Sequence, residues 1–292
     1  MNIQKMIKLC CLDVDNLRVK LYKFLRNNGY TNIYKTENYI IAEGDIPVCL
    51  LAHMDTVFPT PPDKDDFFYD GKKKVLWCPG GSGFDDRAGI YAILTIIESG
   101  YHPHIIFTNE EEMGGIGARK LIEDEDEPPF DCKALIQLDR AYAQDMVFYD
   151  CDCPRFEKYI KKFGFEKEQG TFSDISIIAP VWKIVAVNLS IGYVDEHTTN
   201  ERLYCQCCDA TIAKVISILS CANSMPYFVY RRKRVEKYPV MHSTRSCLYC
   251  QNTYPDNIKI KHDFYNWEYY CCPECFKKYE CDEKEDSPFG AI

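Results

Sequence analysis

Apolar positions in residues 13–27 recur at helical spacing, with Val14, Leu17, Leu21, Phe24 and Leu25 on one stripe and Val19 off it. The pattern then shortens to strand-like stretches near Ile33 and at Tyr39–Ala42. Residues 48–52 form an unbroken apolar run ending in His53-Met54-Asp55, which suits a strand covered on both faces. Residues 67–72 and Val75–Trp77 read as a hairpin around Asp70-Gly71. Ile90, Ile93, Leu94 and Ile97 give residues 86–98 a packed helical face, with Gly100 as its stop. A strand at 104–108, a helix at 115–122, strands at 134–138 and 146–149, a helix near 154–163, a strand at 184–189 and a helix at 203–221 follow. Strands alternating with helices predict an α/β fold of three layers, with a mixed, mostly parallel sheet flanked by helices. Ligand chemistry in such sheets gathers beyond the carboxyl ends of the strands.

Composition adds limits. The 292 residues are 46% hydrophobic and 27% charged, an ordinary globular mix that excludes wholesale disorder. Their number corresponds to one or two domains at about 150 residues each. A net charge of −9 argues against a nucleic-acid coat. No uncharged apolar run approaches the ~18 residues of a membrane span, and the first residues are too briefly apolar for a secretion signal. The expectation is a soluble, cytoplasmic protein without a membrane partner, a monomer or small homo-oligomer. Of 17 cysteines, an odd number, six lie beyond residue 246, and most are expected as reduced thiols.

Metal-type ligands stand just after the expected strands in five places: His53-Met54-Asp55, Asp85-Asp86, Glu110-Glu111-Glu112, Asp139 and His197. Carboxylates crowded at one sheet edge repel, and a bound dication removes that cost. Carboxylate and imidazole without thiolate suit zinc, cobalt or manganese. Five ligand positions exceed the four of one tetrahedral zinc and suit two metals sharing a bridging carboxylate. Residues two apart on a strand face the same way, so Asp55 can orient His53 while His53 binds metal. In the adjacent glutamates, one can bind metal while the other moves protons.

Leu51-Ala52-His53-Met54-Asp55-Thr56-Val57, Gly83-Phe84-Asp85-Asp86-Arg87-Ala88-Gly89, Phe107 to Gly115 around Glu111-Glu112, Leu138-Asp139 and His197-Thr198-Thr199-Asn200-Glu201 occur in this order. Over roughly residues 45–222 the chain resembles the di-zinc exopeptidase superfamily of peptidase T, acetylornithine deacetylase, aminoacylase and the bacterial leucyl aminopeptidases. That resemblance implies the zinc exopeptidase fold and two catalytic zinc ions. It further implies that Asp85 bridges the metals, that His53 and Asp139 complete one site, and that Glu112 and His197 complete the other. Glu111 becomes the general base and Asp55 the residue that orients His53. Residues 170–174 resemble the family's stretch near the substrate, which makes Asp174 a candidate substrate contact, with Tyr193 or Tyr142 as a candidate oxyanion donor. The implied activity is hydrolysis of peptide or acyl-amino-acid amide bonds, as an aminopeptidase or di/tripeptidase, with an N-acyl amino-acid deacylase or a non-catalytic metal-binding adaptor as alternatives. Two departures stand out. Arg87 replaces the lysine of many deacetylase-type members, and only 57 residues (140–196) separate Asp139 from His197, too few for a lid and dimerisation domain.

Residues 1–226 are thus the expected catalytic domain, 227–246 a basic linker, 247–281 a cysteine module and 282–292 an acidic tail. Cys247, Cys250, Cys272 and Cys275 form two Cys-x-x-Cys pairs separated by 21 residues (251–271), a spacing that suits one structural zinc in a ribbon-like hairpin. Such a module can take a protein partner, whereas the acidic tail disfavours nucleic acid. His102 and His104 flank Pro103, match no motif, and are expected as surface or packing histidines.

Overall fold

The structure, a computed structural model, describes residues 1–232 and the short strands at 245–246, 253–254, 258–262 and 267–271. The chain divides into two units, Met1–Lys233 and Arg234–Ile292.

In chain order the strands of the first unit are β1 (Ile33–Lys35), β2 (Tyr39–Ala42), β3 (Ile46–His53), β4 (Phe68–Asp70), β5 (Val75–Trp77), β6 (Pro103–Thr108), β7 (Leu135–Arg140), β8 (Asp145–Val147), β9 (Glu166–Lys167), β10 (Ala186–Ser190), β11 (Tyr193–Val194) and β12 (Arg202–Tyr204). Its helices are α1 (Ile3–Cys10), α2 (Val14–Asn27), α3 (Phe84–Glu98), α4 (Ile116–Asp124), α5 (Pro154–Lys161), α6 (Asp174–Trp182) and α7 (Cys205–Ser220). Eight strands make one mixed sheet in the order β1-β2-β6-β3-β7-β10-β8-β9, and its centre, β6-β3-β7-β10, is parallel throughout. A second, antiparallel sheet runs β11-β12-β5-β4.

The apolar run of β3 explains the layering. Val48, Leu50 and Ala52 pack into one core with α1, α2, α3 and α7, while Cys49 and Leu51 pack into another with α4 and α6. Both faces of the strand are therefore covered, as the lack of polar alternation demands. Leu50 is fully buried, so Leu50→Ala is expected to cost about 2–5 kcal/mol.

Five elements escaped the sequence pattern, two of them the two-residue strands β9 and β11. α1 is short, α6 holds Pro180 inside it, and β12 occupies the start of the stretch expected as one helix over 203–221. β12 is a strand because it pairs with β5, a partner more than a hundred residues away. Residues 227–232, within the expected linker, lie on the first unit: Phe228 packs on Phe156 and Tyr159, and Asp152 donates its N–H to Arg231 O.

In the second unit the described strands are β13 (Arg245–Ser246) paired with β14 (Thr253–Tyr254), and β15 (Ile258–His262) paired with β16 (Trp267–Cys271), all antiparallel. Cys247, Cys250, Cys272 and Cys275 and the acidic tail lie outside the described residues. No helix among the described residues is long and apolar enough to cross a membrane.

Candidate metal centre

The parallel strands β3, β6, β7 and β10 end at one edge of the sheet, and the site is assembled there. His53 closes β3 and Asp139 lies at the end of β7. The segment after β6 turns through Glu110, held at φ 57, to Glu111 and Glu112. The segment after β11 brings in His197 at φ 63. Asp85 and Asp86, joined by a cis peptide, form a non-helical kink at the start of α3. α3 sits flush on β7 because residue 89 is glycine: a Cβ there would lie 2.1 Å from Leu138 O.

These side chains meet. His53 Nε2 lies 3.0 Å from Asp85 Oδ1 and 3.4 Å from Asp139 Oδ1. His197 Nε2 lies 3.1 Å from Asp85 Oδ2 and 3.0 Å from Glu112 Oε1. Asp85 therefore stands between the two histidines, one oxygen toward each. On the far side of its ring, His53 Nδ1 lies 3.1 Å from Asp55 O and 3.3 Å from Asp55 Oδ1. The Asp55 carboxylate also accepts the N–H groups of Glu111 and Glu112, each at 3.1 Å, so one residue fixes both the imidazole and the glutamate turn.

The donor set fits divalent cations. Glu112 Oε1 is buried and has no hydrogen-bond partner, although His197 Nε2 is 3.0 Å away. An acceptor held close to a ring nitrogen without a hydrogen bond is placed for a shared third body. Ligand atoms of His53, Asp85 and Glu112 lie within 4.8 Å of one another, as do those of His53, Asp86 and Asp139.

Electrostatics point the same way. Burial, with Asp139 and other acids adding to it, pushes Glu111 up to about 9 against the pull of His53. Burial and Asp85 push Asp139 up to about 7. Burial, then Asp139, raises Asp86 well above the carboxylate range. Burial alone would lower His53, but Asp139, Asp55 and Asp85 hold it well above its usual value. The carboxylates of Asp85 and Glu112, both facing its Nε2, push His197 up to about 11. Protons alone thus leave this cluster strained toward neutralisation, and cations relieve the same repulsion.

A cavity of about 330 Å³ opens beside the cluster, lined by Asp85, Glu111, Glu112, Asp139, Tyr193 and His197 among others. Tyr193 donates its hydroxyl to Asp139 Oδ1 at 3.1 Å. Tyr142 is more than half exposed and is not part of the lining. Asp174, expected as a substrate contact, is fully buried, is not part of the lining and accepts the Thr108 hydroxyl, while Thr171 and Phe172 of the same segment reach the wall. Sequence reasoning assigned no role to three contributors. Asp86 accepts N–H groups from His53 at 3.2 Å and Gly89 at 2.9 Å, which ties α3 to the end of β3. Glu201 accepts the N–H groups of Phe84 at 3.1 Å and Asp85 at 2.9 Å. Arg140 lines the cavity. Asp86 and Glu201 stood inside quoted motifs, whereas nothing in the sequence marked Arg140.

No protein-family model and no curated protein sequence matches this chain. Solved structures do share its fold. The aminopeptidase PepT of Bacillus cereus matches with a TM-score of 0.59 at 15% identity, over 76% of this chain and 98% of that one. A tripeptidase of Staphylococcus aureus matches at 0.62 and 15%, over 76% and 98%. An aminopeptidase of the archaeon Desulfurococcus kamchatkensis matches at 0.56 and 12%, over 75% and 94%. The first unit therefore has the α/β fold found in these aminopeptidases and this tripeptidase. A glutaminyl cyclase of Porphyromonas gingivalis shares it too, at 0.50 and 15%, over 74% and 94%. One fold thus hosts different reactions, and the site has to decide between them.

Proposed function

We propose that the chain is a metal-dependent hydrolase of amide bonds, an exopeptidase of the aminopeptidase or di/tripeptidase kind. The observation that carries this reading is the convergence of His53, Asp85, Glu112, Asp139 and His197 around Asp85, with Glu111 beside them in the same cavity. In it, His53, Asp85 and Asp139 would hold one cation and Asp85, Glu112 and His197 a second, with zinc as first choice and cobalt or manganese as substitutes. Residues 140–196 add strands and helices to the first unit, which supports a site without a separate lid domain. The spacing of Cys247, Cys250, Cys272 and Cys275 supports a further, structural zinc in the second unit.

Paired divalent cations held there would lower the pKa of water and stabilise charge on the substrate carbonyl oxygen. Glu111, nine-tenths buried at the cavity wall, takes a proton from the attacking water as its oxygen bonds to the carbonyl carbon. The same carboxyl then gives that proton to the amine nitrogen as the C–N bond breaks. Asp55 accepts from the glutamate turn and faces His53 Nδ1, which keeps the tautomer with Nε2 free to ligate. Tyr193 holds Asp139 in place through its hydroxyl.

Full-length protein loaded with zinc, cobalt or manganese is to be assayed on aminoacyl anilides, di- and tripeptides, and N-acyl amino acids. Turnover of the free-amine substrates is expected, and Glu111→Gln is expected to lose about 10²–10⁴ in rate while still binding metal. Preference for the N-acyl panel moves the reading to a deacylase. Metal binding with no turnover on any panel sinks the hydrolase reading and leaves the adaptor.

A further inference from the structure

The cavity beside the metal centre is acidic on almost every side. Asp85, Glu111, Glu112, Asp139 and Glu196 line it, and Arg140 is the one permanent cation in the lining. Arg140 directly follows the candidate ligand Asp139 on β7, where regular alternation sends adjacent side chains to opposite faces. The ladder is irregular at this point: pairing between β7 and β10 shifts register between Asn188 and Ser190, and Ser190 is the residue opposite Arg140. Such irregularities re-aim side chains at the end of a strand.

The guanidinium is poorly used by the protein. Its Nε is buried and has no hydrogen bond, with Asp145 Oδ2 the nearest carboxylate at 3.6 Å. Neither Nη nitrogen makes a hydrogen bond among the described residues, and neither is a buried unpaired atom. Both amino groups are therefore open to solvent on a residue that is itself largely covered. A side chain needed only to pair with Asp145 has no reason to leave its two-pronged face free, since that face is what binds a carboxylate in parallel hydrogen bonds. Tyr149 and Phe172 supply aromatic wall to the same cavity.

We propose that Arg140 is a specificity-determining residue, which selects substrates presenting a carboxylate next to the amide bond that is cleaved. The proposal rests on the hydrolase reading above for its kinetic arm only. A substrate carboxylate entering this cavity without Arg140 meets other carboxylates, whereas with it the fork provides two donors and an opposite charge. The carboxylate has two possible sources: an acidic side chain on the residue before the bond, or the free terminus of a short peptide after it.

The test uses the full chain loaded with zinc and two matched pairs of substrates. Glutamyl and glutaminyl p-nitroanilide differ in a side-chain carboxylate alone; alanyl-alanine and alanyl-alanine amide differ in a terminal carboxylate alone. Wild-type protein is expected to favour the carboxylate member of one pair by about tenfold or more in kcat/KM, the scale of a charge-assisted hydrogen bond. Whichever pair shows it identifies the source. In Arg140→Gln the ratio is expected to fall close to one, and in Arg140→Lys to stay between the two. A second readout needs no turnover: calorimetric binding of glutamate and of glutamine, with glutamate about tenfold tighter in wild type and the difference lost in Arg140→Gln. Selectivity ratios that are the same in wild type and Arg140→Gln, in both pairs and in binding, overturn the proposal. If no substrate is cleaved, the hydrolase reading falls, and the glutamate–glutamine comparison still decides on Arg140.

Discussion

Glu201 reaches from the segment after His197 to the two N–H groups that open α3, and so links one candidate ligand to another. Burial pushes its carboxyl up to about 7, against the two N–H groups that favour the charged form. A glutamine here turns an N–H toward one of those donors. We expect Glu201→Gln to weaken divalent-metal binding about 10–100-fold, the usual effect of disturbing a group that orients a ligand. Calorimetric zinc titration checks this; unchanged affinity in a folded variant would show that Asp85 needs no such support. The residue scale is also where the sequence was most and least informative. His53, Asp85, Glu111, Glu112, Asp139 and His197 were legible because each sits at the end of an apolar run or in a recognisable motif, and the structure brings them together. Arg140 was not, because its role depends on a register shift and on what surrounds it.

At the scale of elements, β6 carries a test of pH dependence. His104 is buried, with its ring stacked on Phe130 at 4.0 Å between centroids. Nδ1 accepts the Gly44 N–H at 3.1 Å while Nε2 faces Asp131 O at 3.0 Å, so the neutral ring satisfies both neighbours and a second ring proton would oppose Gly44. Burial lowers its pKa below the usual value of about 6.5. The unfolded chain therefore binds the proton more readily, and the contribution of His104 is complete above about pH 6.5 and shrinks as the pH falls below it. His104→Gln cannot titrate. Its stability deficit relative to wild type is expected to narrow between about pH 8 and pH 5 in urea unfolding; a deficit that widens on acidification reverses the assignment. The expectation of a packing histidine fits His104, and the sequence pattern around β3, β6 and α3 gave their positions to within a few residues. β12 escaped because three residues carry too little periodicity, and their strand character comes from β5.

For the whole molecule, the candidate metal centre joins segments from residue 53 to residue 197, so cation binding there is expected to stabilise the first unit as a whole. At a free zinc concentration about a hundred times the Kd, linkage adds about 2.7 kcal/mol. For a domain of this size that raises Tm by about 5–10 °C. Differential scanning calorimetry of wild type against Glu112→Gln/Asp139→Asn separates this rise from any thiolate-bound zinc in the second unit. A full rise in the double variant would place the cation elsewhere. The sequence by itself determined that β3 is covered on both faces, that helices and strands alternate, and which acids and imidazoles close the strands, because periodicity and chain order are local properties. Only the tertiary structure decided that Asp85 faces both histidines, that Glu201 holds Asp85, and that Arg140 opens into the same cavity. These facts depend on the order and register of strands far apart in the chain, where a shift of one residue turns a side chain to the opposite face.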